Sequence, residues 1–522
     1  MSSIRTTRLI LTSLTAALLA VLVPATLTSA DTQSWTMGGH DYANSRSNPA
    51  QTAISPGNAR LLATKWTFTT HGDVSATPAV VGKAVYFPDW GGYLNKVDAT
   101  TGTLVWQKKL SDYGYNDDPT LVSRTSPAVV GDVVYIGDQG GGSFLTPRPA
   151  RLLAINANTG ELLWSSVINP SIYSIITQSP IVRNGVIYVG AASAEENVAA
   201  FIPGYECCTF RGSFSAVDAA SGQVIWTTYT VPEGYSGGAV WGSTPAIDAK
   251  TGAVYITTGN NYSVPPAVKQ CQLDGGSPAQ CLDPSDHVDA VMALDPATGL
   301  VKWSTGVQGF DDWIVSCIVG VPNCPVAAGP DFDFGSGPNL FSATTNGKKR
   351  DLVGAGAKSG IYWALDATTG EIVWSTQAGP GSTLGGIEWG TATDGKRIYV
   401  AEANWNRQPY PNGSTLPAYG SFAALDPASG QVLWQVPDPS ADSPLGAVSV
   451  SNGVLYGGSM SGHMYAFDAA TGAILKDLVG EGSSNAGPAI SNQGVVYWGN
   501  GYGRFGLGTP STTFYAFSIK GK

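Results

Sequence analysis

The stretch from Ala216 to Trp226 reads "AVDAASGQVIW", and its pattern recurs along the chain. "KVDATTGTLVW" ends at Trp106, "AINANTGELLW" at Trp164 and "ALDPATGLVKW" at Trp303. "ALDATTGEIVW" ends at Trp374 and "ALDPASGQVLW" at Trp434, while "AFDAATGAILK" puts Lys476 in the tryptophan's place. An Asp or Asn side chain can accept the backbone N–H groups of a tight turn, and the Gly four residues on supplies positive φ. Alternating apolar residues flank that turn, so each copy predicts a hairpin between two strands. A second hairpin precedes it, as in "ATPAVVGKAVYFPD" and "TSPAVVGDVVYIGD". Two hairpins per repeat predict a four-stranded antiparallel blade, and the Trp would wedge between neighbouring blades.

The two ends complete the count. "TKWTF" carries Trp66 with no turn before it, and "TTFYAFSIKGK" is a terminal strand without its partner. Joined, they predict an eighth blade that removes the open sheet edges. The expected fold is therefore all-β: an eight-bladed β-propeller closed by pairing the N- and C-terminal strands, one domain over 31–522.

Composition agrees with that class. Charged residues are 13% of the chain while Gly numbers 65, which favours turns and apolar strands over charged helices. A net charge of −10 gives little reason to hold nucleic acid or an anionic membrane. "MSSIRTTRLILTSLTAALLAVLVPATLTSADTQ" has a basic start at Arg5 and Arg8, an apolar core and the small-residue run Thr28-Ser29-Ala30. That reads as a signal peptide cut after Ala30, giving a secreted or periplasmic protein with no stable membrane insertion. Six cysteines then suggest disulfides. Cys271 with Cys281 and Cys317 with Cys324 each bracket a short loop, which leaves the adjacent Cys207 and Cys208 for each other, the alternative being that these two pair elsewhere or stay free.

The longest insertions between hairpins fall around 218–295 and 295–366, where loops would build a site. Here the chain resembles the quinoprotein alcohol dehydrogenases, and the phrases "MGGHDYANSRSNP", "GAASAEE", "ECCTFRG" and "GGIEWGTATDGKRIYVA" resemble polyvinyl alcohol dehydrogenases more narrowly. The hairpin repeat alone is shared with non-catalytic outer-membrane assembly scaffolds. The resemblance implies pyrroloquinoline quinone (PQQ) and Ca²⁺, or another metal such as a lanthanide. It places metal ligands at Glu195, Asn260 in "TTGN" and Asp331, with Asp333 two residues on as a further ligand. Oxygen donors of this kind suit a hard cation. It places Trp241 in "AVWG" under the quinone, and Arg124 and Thr177 at the cofactor's carboxylates. Asp331 would be the catalytic base, with Asp311 and Asp312 of "GFDDW" as rivals. Lys358 would contact the quinone oxygens, Glu388 and Trp389 would form the far rim, and the Cys207–Cys208 pair would sit at the mouth.

The implied function is oxidation of secondary alcohol groups, those of polyvinyl alcohol foremost. The chain has no "CxxCH" haem motif, so electrons would leave to a separate acceptor such as a cytochrome c. Two alternatives stand beside this reading. One is a non-catalytic propeller that binds or assembles other molecules, and the other a PQQ dehydrogenase for small alcohols or sugars.

Overall fold

The computed structural model describes residue 1 and residues 35–522, apart from 144, 145, 412, 504 and 505. The signal-peptide expectation falls on residues outside this range. No helix among the described residues is long and apolar enough to cross a membrane.

Eight antiparallel blades follow one another along the chain, as the hairpin repeats predict. The first is typical, with Ala79–Val81 innermost, then Ala84–Pro88, Tyr93–Asp98 and Leu104–Lys109 at the rim. The eighth is completed by the terminal strands. Leu62–Thr69 pairs antiparallel with Thr513–Ile519, from Leu62 opposite Ile519 to Thr69 opposite Thr513.

The repeated turn works as its residues suggest. Asp98 Oδ1 accepts the N–H groups of Thr100 and Thr101, both at 2.9 Å. Its Trp, however, serves the next blade. Trp66, Trp106, Trp164, Trp226, Trp303, Trp374 and Trp434 each donate the indole N–H to the residue just after the next hairpin's Asp or Asn, at 3.0–3.2 Å. Each ring also lies on that hairpin's glycine. A Cβ on Gly370 would stand 2.5 Å from the Trp303 ring, and its φ is +75°. Lys476 is thereby explained. Its strand faces the eighth blade, where two chain ends meet and no turn glycine awaits a tryptophan.

The segment around "MGGHDYANSRSNP" forms a hub. Trp35 bridges to Val80, and the carbonyls of Thr36, Tyr42, Ala43, Ser45 and Arg46 accept N–H groups from five further blades. Asn48 Nδ2 donates to Ile490 O of the eighth at 2.7 Å. The six cysteines pair as their spacing indicated: Cys207–Cys208, Cys271–Cys281 and Cys317–Cys324.

The glycine under each tryptophan yields a stability test. Gly370→Ala combines a left-handed backbone with overpacking and should cost about 2–3 kcal/mol. Gly347→Ala shares the left-handed backbone, with φ of +76°, but meets open space, so it should cost only about 1 kcal/mol. Denaturant midpoints compare the two; equal losses would mean that the Trp contact does not matter.

Candidate active site

The cavity of about 230 Å³ is lined from consecutive blades and the long insertions. Thr177 and Glu196 come from the third blade, and Trp241 and Asn260 from the fourth. Asp331 and Asp333 come from the connection leading into the fifth, and Lys358 follows its long strand Lys348–Gly356. Glu388 lines the cavity from the connection ahead of the sixth, and Arg124 from the one ahead of the second.

An ionic cluster occupies its centre. Lys358 Nζ lies 3.0 Å from Asp331 Oδ1 and 2.8 Å from Asp333 Oδ1. The backbone N–H of Lys358 also donates to the Asp333 carbonyl at 2.9 Å. Trp241 Nε1 donates to Asp333 Oδ2 at 2.7 Å. Burial alone would lower the Lys358 ammonium, but Asp331 and Asp333 outweigh it and hold it well above its ordinary value. Asp331 is driven well above the carboxylate range by burial, with Asp333 and Glu196 adding to the rise against the pull of Lys358. Burial pushes Glu196 up to about 7, and Glu388 likewise to about 7. Asp331 Oδ2 and Glu388 Oε2 are buried with no hydrogen-bond partner. Four carboxylates share one ammonium, more than it can pair, and the upward shift of three of them is the response to burying charge that is costly unless paired.

The cavity also has a flat aromatic wall. Trp389 meets Trp241 edge-on with ring centroids 5.2 Å apart, and the Arg124 guanidinium stacks 4.0 Å above the Trp389 ring. Trp389 therefore buttresses Trp241 and does not itself line this cavity. It lines a smaller axial cavity of about 40 Å³, together with Arg124, Thr177 and Arg46 of the hub.

Of the two adjacent glutamates, the structure turns the unexpected one to the cavity. Glu195 does not reach the cavity. Its carboxylate accepts hydrogen bonds from Tyr205 Oη at 2.6 Å, Thr209 N at 2.8 Å, Thr209 Oγ1 at 2.9 Å and Phe210 N at 2.7 Å. Those donors lie on both sides of Cys207–Cys208, so Glu195 holds the cysteine loop. Glu196 faces the cavity instead. A helix begins here, Glu195–Phe201, and successive helical residues point about 100° apart. Both glutamates are present in the motif, and only the helix phase decides between them.

Asn260 lines the cavity. Its Nδ2 donates to Asn261 O at 2.9 Å and Trp313 O at 2.7 Å, which leaves the amide oxygen for the cavity. The rivals of Asp331 do not reach the site. Asp311 accepts the N–H groups of Asp331 at 3.0 Å and Phe332 at 2.8 Å, shaping the loop that presents Asp331. Asp312 is paired with Lys269 at 2.5 Å. Asp331 itself holds φ at +58°, a conformation that costs a non-glycine residue and gathers at functional sites. Neither Cys207 nor Cys208 lines the cavity, although the resemblance placed the pair at its mouth. Tyr262 and Trp313 do line it and were not anticipated; nothing in their local pattern separates them from core aromatics.

Comparison with known proteins fits this geometry. Residues 58–305 and 210–508 match a family model described as outer membrane protein assembly factor BamB. The polyvinylalcohol dehydrogenase of Sphingopyxis sp. (strain 113P3) is 31% identical, over 90% of this chain and 74% of that protein. That of Pseudomonas sp. is 29% identical over 94% and 77%. The chain belongs to this propeller-repeat family and, within it, to the quinoprotein alcohol dehydrogenases. A solved quinohemoprotein alcohol dehydrogenase from Comamonas testosteroni shares the fold, with a TM-score of 0.72, 20% identity and coverage of 94% and 81%. The match extends over the blades of the whole ring.

The two glutamates should part company in stability. Glu195→Ala leaves four donors without their acceptor, one of them, Phe210 N, fully buried, and should lower unfolding free energy by about 2 kcal/mol. Glu196→Ala removes a carboxylate already strained by burial and should not lower it. Thermal unfolding of both variants without added metal checks this; the reverse order would return the cavity-facing role to Glu195.

Proposed function

We propose that this cavity oxidises secondary alcohol groups, those of polyvinyl alcohol foremost, with PQQ and Ca²⁺ as its resident groups. The observation that carries the reading is the buried Asp331–Lys358–Asp333 cluster beside Trp241, with an unpartnered oxygen on Asp331. A propeller used only as a scaffold gains nothing from burying that much uncompensated charge.

The residues suit the groups the reading requires. Glu196, Asn260, Asp331 and Asp333 offer carboxylate and amide oxygens for a hard cation. Trp241 offers a flat face, while Arg124 and Thr177 offer donors for anionic carboxylates. When bound, the quinone supplies a two-electron oxidant, chemistry that no side chain here can provide. The chain's own part is binding and proton handling. Asp331 Oδ2, free of other partners, takes the proton of the substrate hydroxyl. Lys358 stays protonated between Asp331 and Asp333 and fixes the orientation of both carboxylates. Burial of the cluster keeps bulk water from competing for that proton. Electrons leave to a separate acceptor such as a cytochrome c, in a secreted or periplasmic setting.

Adding PQQ and Ca²⁺ to the purified protein and following dye reduction with polyvinyl alcohol, 2-propanol and glucose tests the assignment. Oxidation of the two secondary alcohols is expected; inactivity on all three, with no quinone absorbance retained, would sink it. Variants then assign the base. Asp331→Asn keeps volume and an oxygen donor, so quinone retention should survive while single-turnover quinone reduction slows about 10²–10⁴-fold. Asp312→Asn should leave that rate nearly unchanged, because its carboxylate pairs with Lys269.

A further inference from the structure

Between Asp312 and Asp331 the chain runs "WIVSCIVGVPNCPVAAGP" without one charged residue, in a protein of net charge −10. Between Glu196 and Glu206 the run "NVAAFIPGY" is uncharged as well. The fold brings these two stretches together. The helix Glu195–Phe201 packs on the short helix Ser316–Val319. Asn323 Nδ2 donates to Ala199 O at 2.9 Å and to Tyr205 O at 2.8 Å, tying one loop to the other. The Cys317–Cys324 bridge closes the second loop, and the Glu195 carboxylate anchors the first.

Their large apolar side chains nevertheless face water. Phe201 is 58% exposed and Ile318 55%, with Ile202 and Val319 also exposed. Other exposed apolar residues, such as Leu104, Leu163 and Ile225, lie on the rim strands of separate blades. Scattered residues of that kind are ordinary, whereas a gathered patch marks a binding surface. Ile318 also lines the cavity, so the patch continues directly into the site.

We infer that this uncharged lip is the docking surface for the aliphatic backbone of a polymeric secondary alcohol. The inference rests on the function proposed above and adds what selects the substrate. The lip's continuity with the cavity suits a chain that extends beyond its reacting carbinol, because a small alcohol would be swallowed whole and never touch Phe201 or Val319. The absence of charge suits a neutral polyol of methylene and hydroxyl groups better than a redox protein guided by complementary charge. The two loops are braced before substrate arrives, so binding orders little protein.

The test pairs Phe201→Ser with Val319→Ser in one variant, since both side chains are exposed and neither lines the cavity. The control is Leu300→Ser, 69% exposed on a hairpin turn away from the lip. With the PQQ- and Ca²⁺-loaded enzyme, KM for polyvinyl alcohol should rise about 10-fold, the scale of trimming an apolar group from a binding site. KM for 2-propanol, and kcat for both substrates, should stay within about twofold, and the control should match the parent. Unchanged KM for the polymer, an equal rise for 2-propanol, or a rise confined to the electron acceptor would each overturn the lip. Calorimetric binding of polyvinyl alcohol to the same proteins separates the two levels. Binding that weakens in the variant while no alcohol is oxidised would refute the enzyme assignment and spare the lip; oxidation with unaltered polymer binding would refute the lip alone.

Discussion

The ring stands on one contact made seven times, an indole resting on the turn glycine of the neighbouring blade. A four-stranded sheet alone exposes too much apolar area on both faces to be stable. The Trp covers part of that area, and its N–H fixes how far one blade slides over the next. Glycine is needed on the other side, because at Gly222 and Gly370 a Cβ would overlap the ring. The repeat therefore encodes two surfaces at once, its own turn and the socket for the preceding blade.

That seam is also what makes a shared cavity possible. Thr177, Trp241, Asp331, Lys358 and Glu388 come from four blades and their connections, and no single blade contains a site. Holding them to ångström precision requires blades that do not shear. The reward is electrostatic: a lysine and four carboxylates can be kept together in a low-dielectric pocket.

The propeller was legible because its signal is periodic and redundant. Seven turns, a Trp at nearly every blade end and two orphan terminal strands leave one closure, and even Lys476 makes sense once the eighth blade has no turn. The residues that gather at the cavity were legible where a residue type is tied to a strand end, as with Asn260, Trp241 and Lys358, all of which line it. They were misread where backbone phase decides. Glu195 and Glu196 are chemically identical, and only a helix starting at that spot turns one to the cysteine loop and its neighbour to the cavity. Asp311 was equally opaque, since its work is done on the N–H groups of Asp331 and Phe332, about twenty residues away along a loop with little regular structure.

The hub segment has a consequence for how the molecule comes apart. Open solenoids can fray one repeat at a time, because each unit answers only to its neighbours. Here a short run of chain near Trp35–Asn48 hydrogen-bonds to seven blades. None of the seven can leave without disturbing a strand of backbone that all the others grip. Those blades are thus wired in parallel rather than in series, and unfolding becomes a concerted event instead of an unzipping.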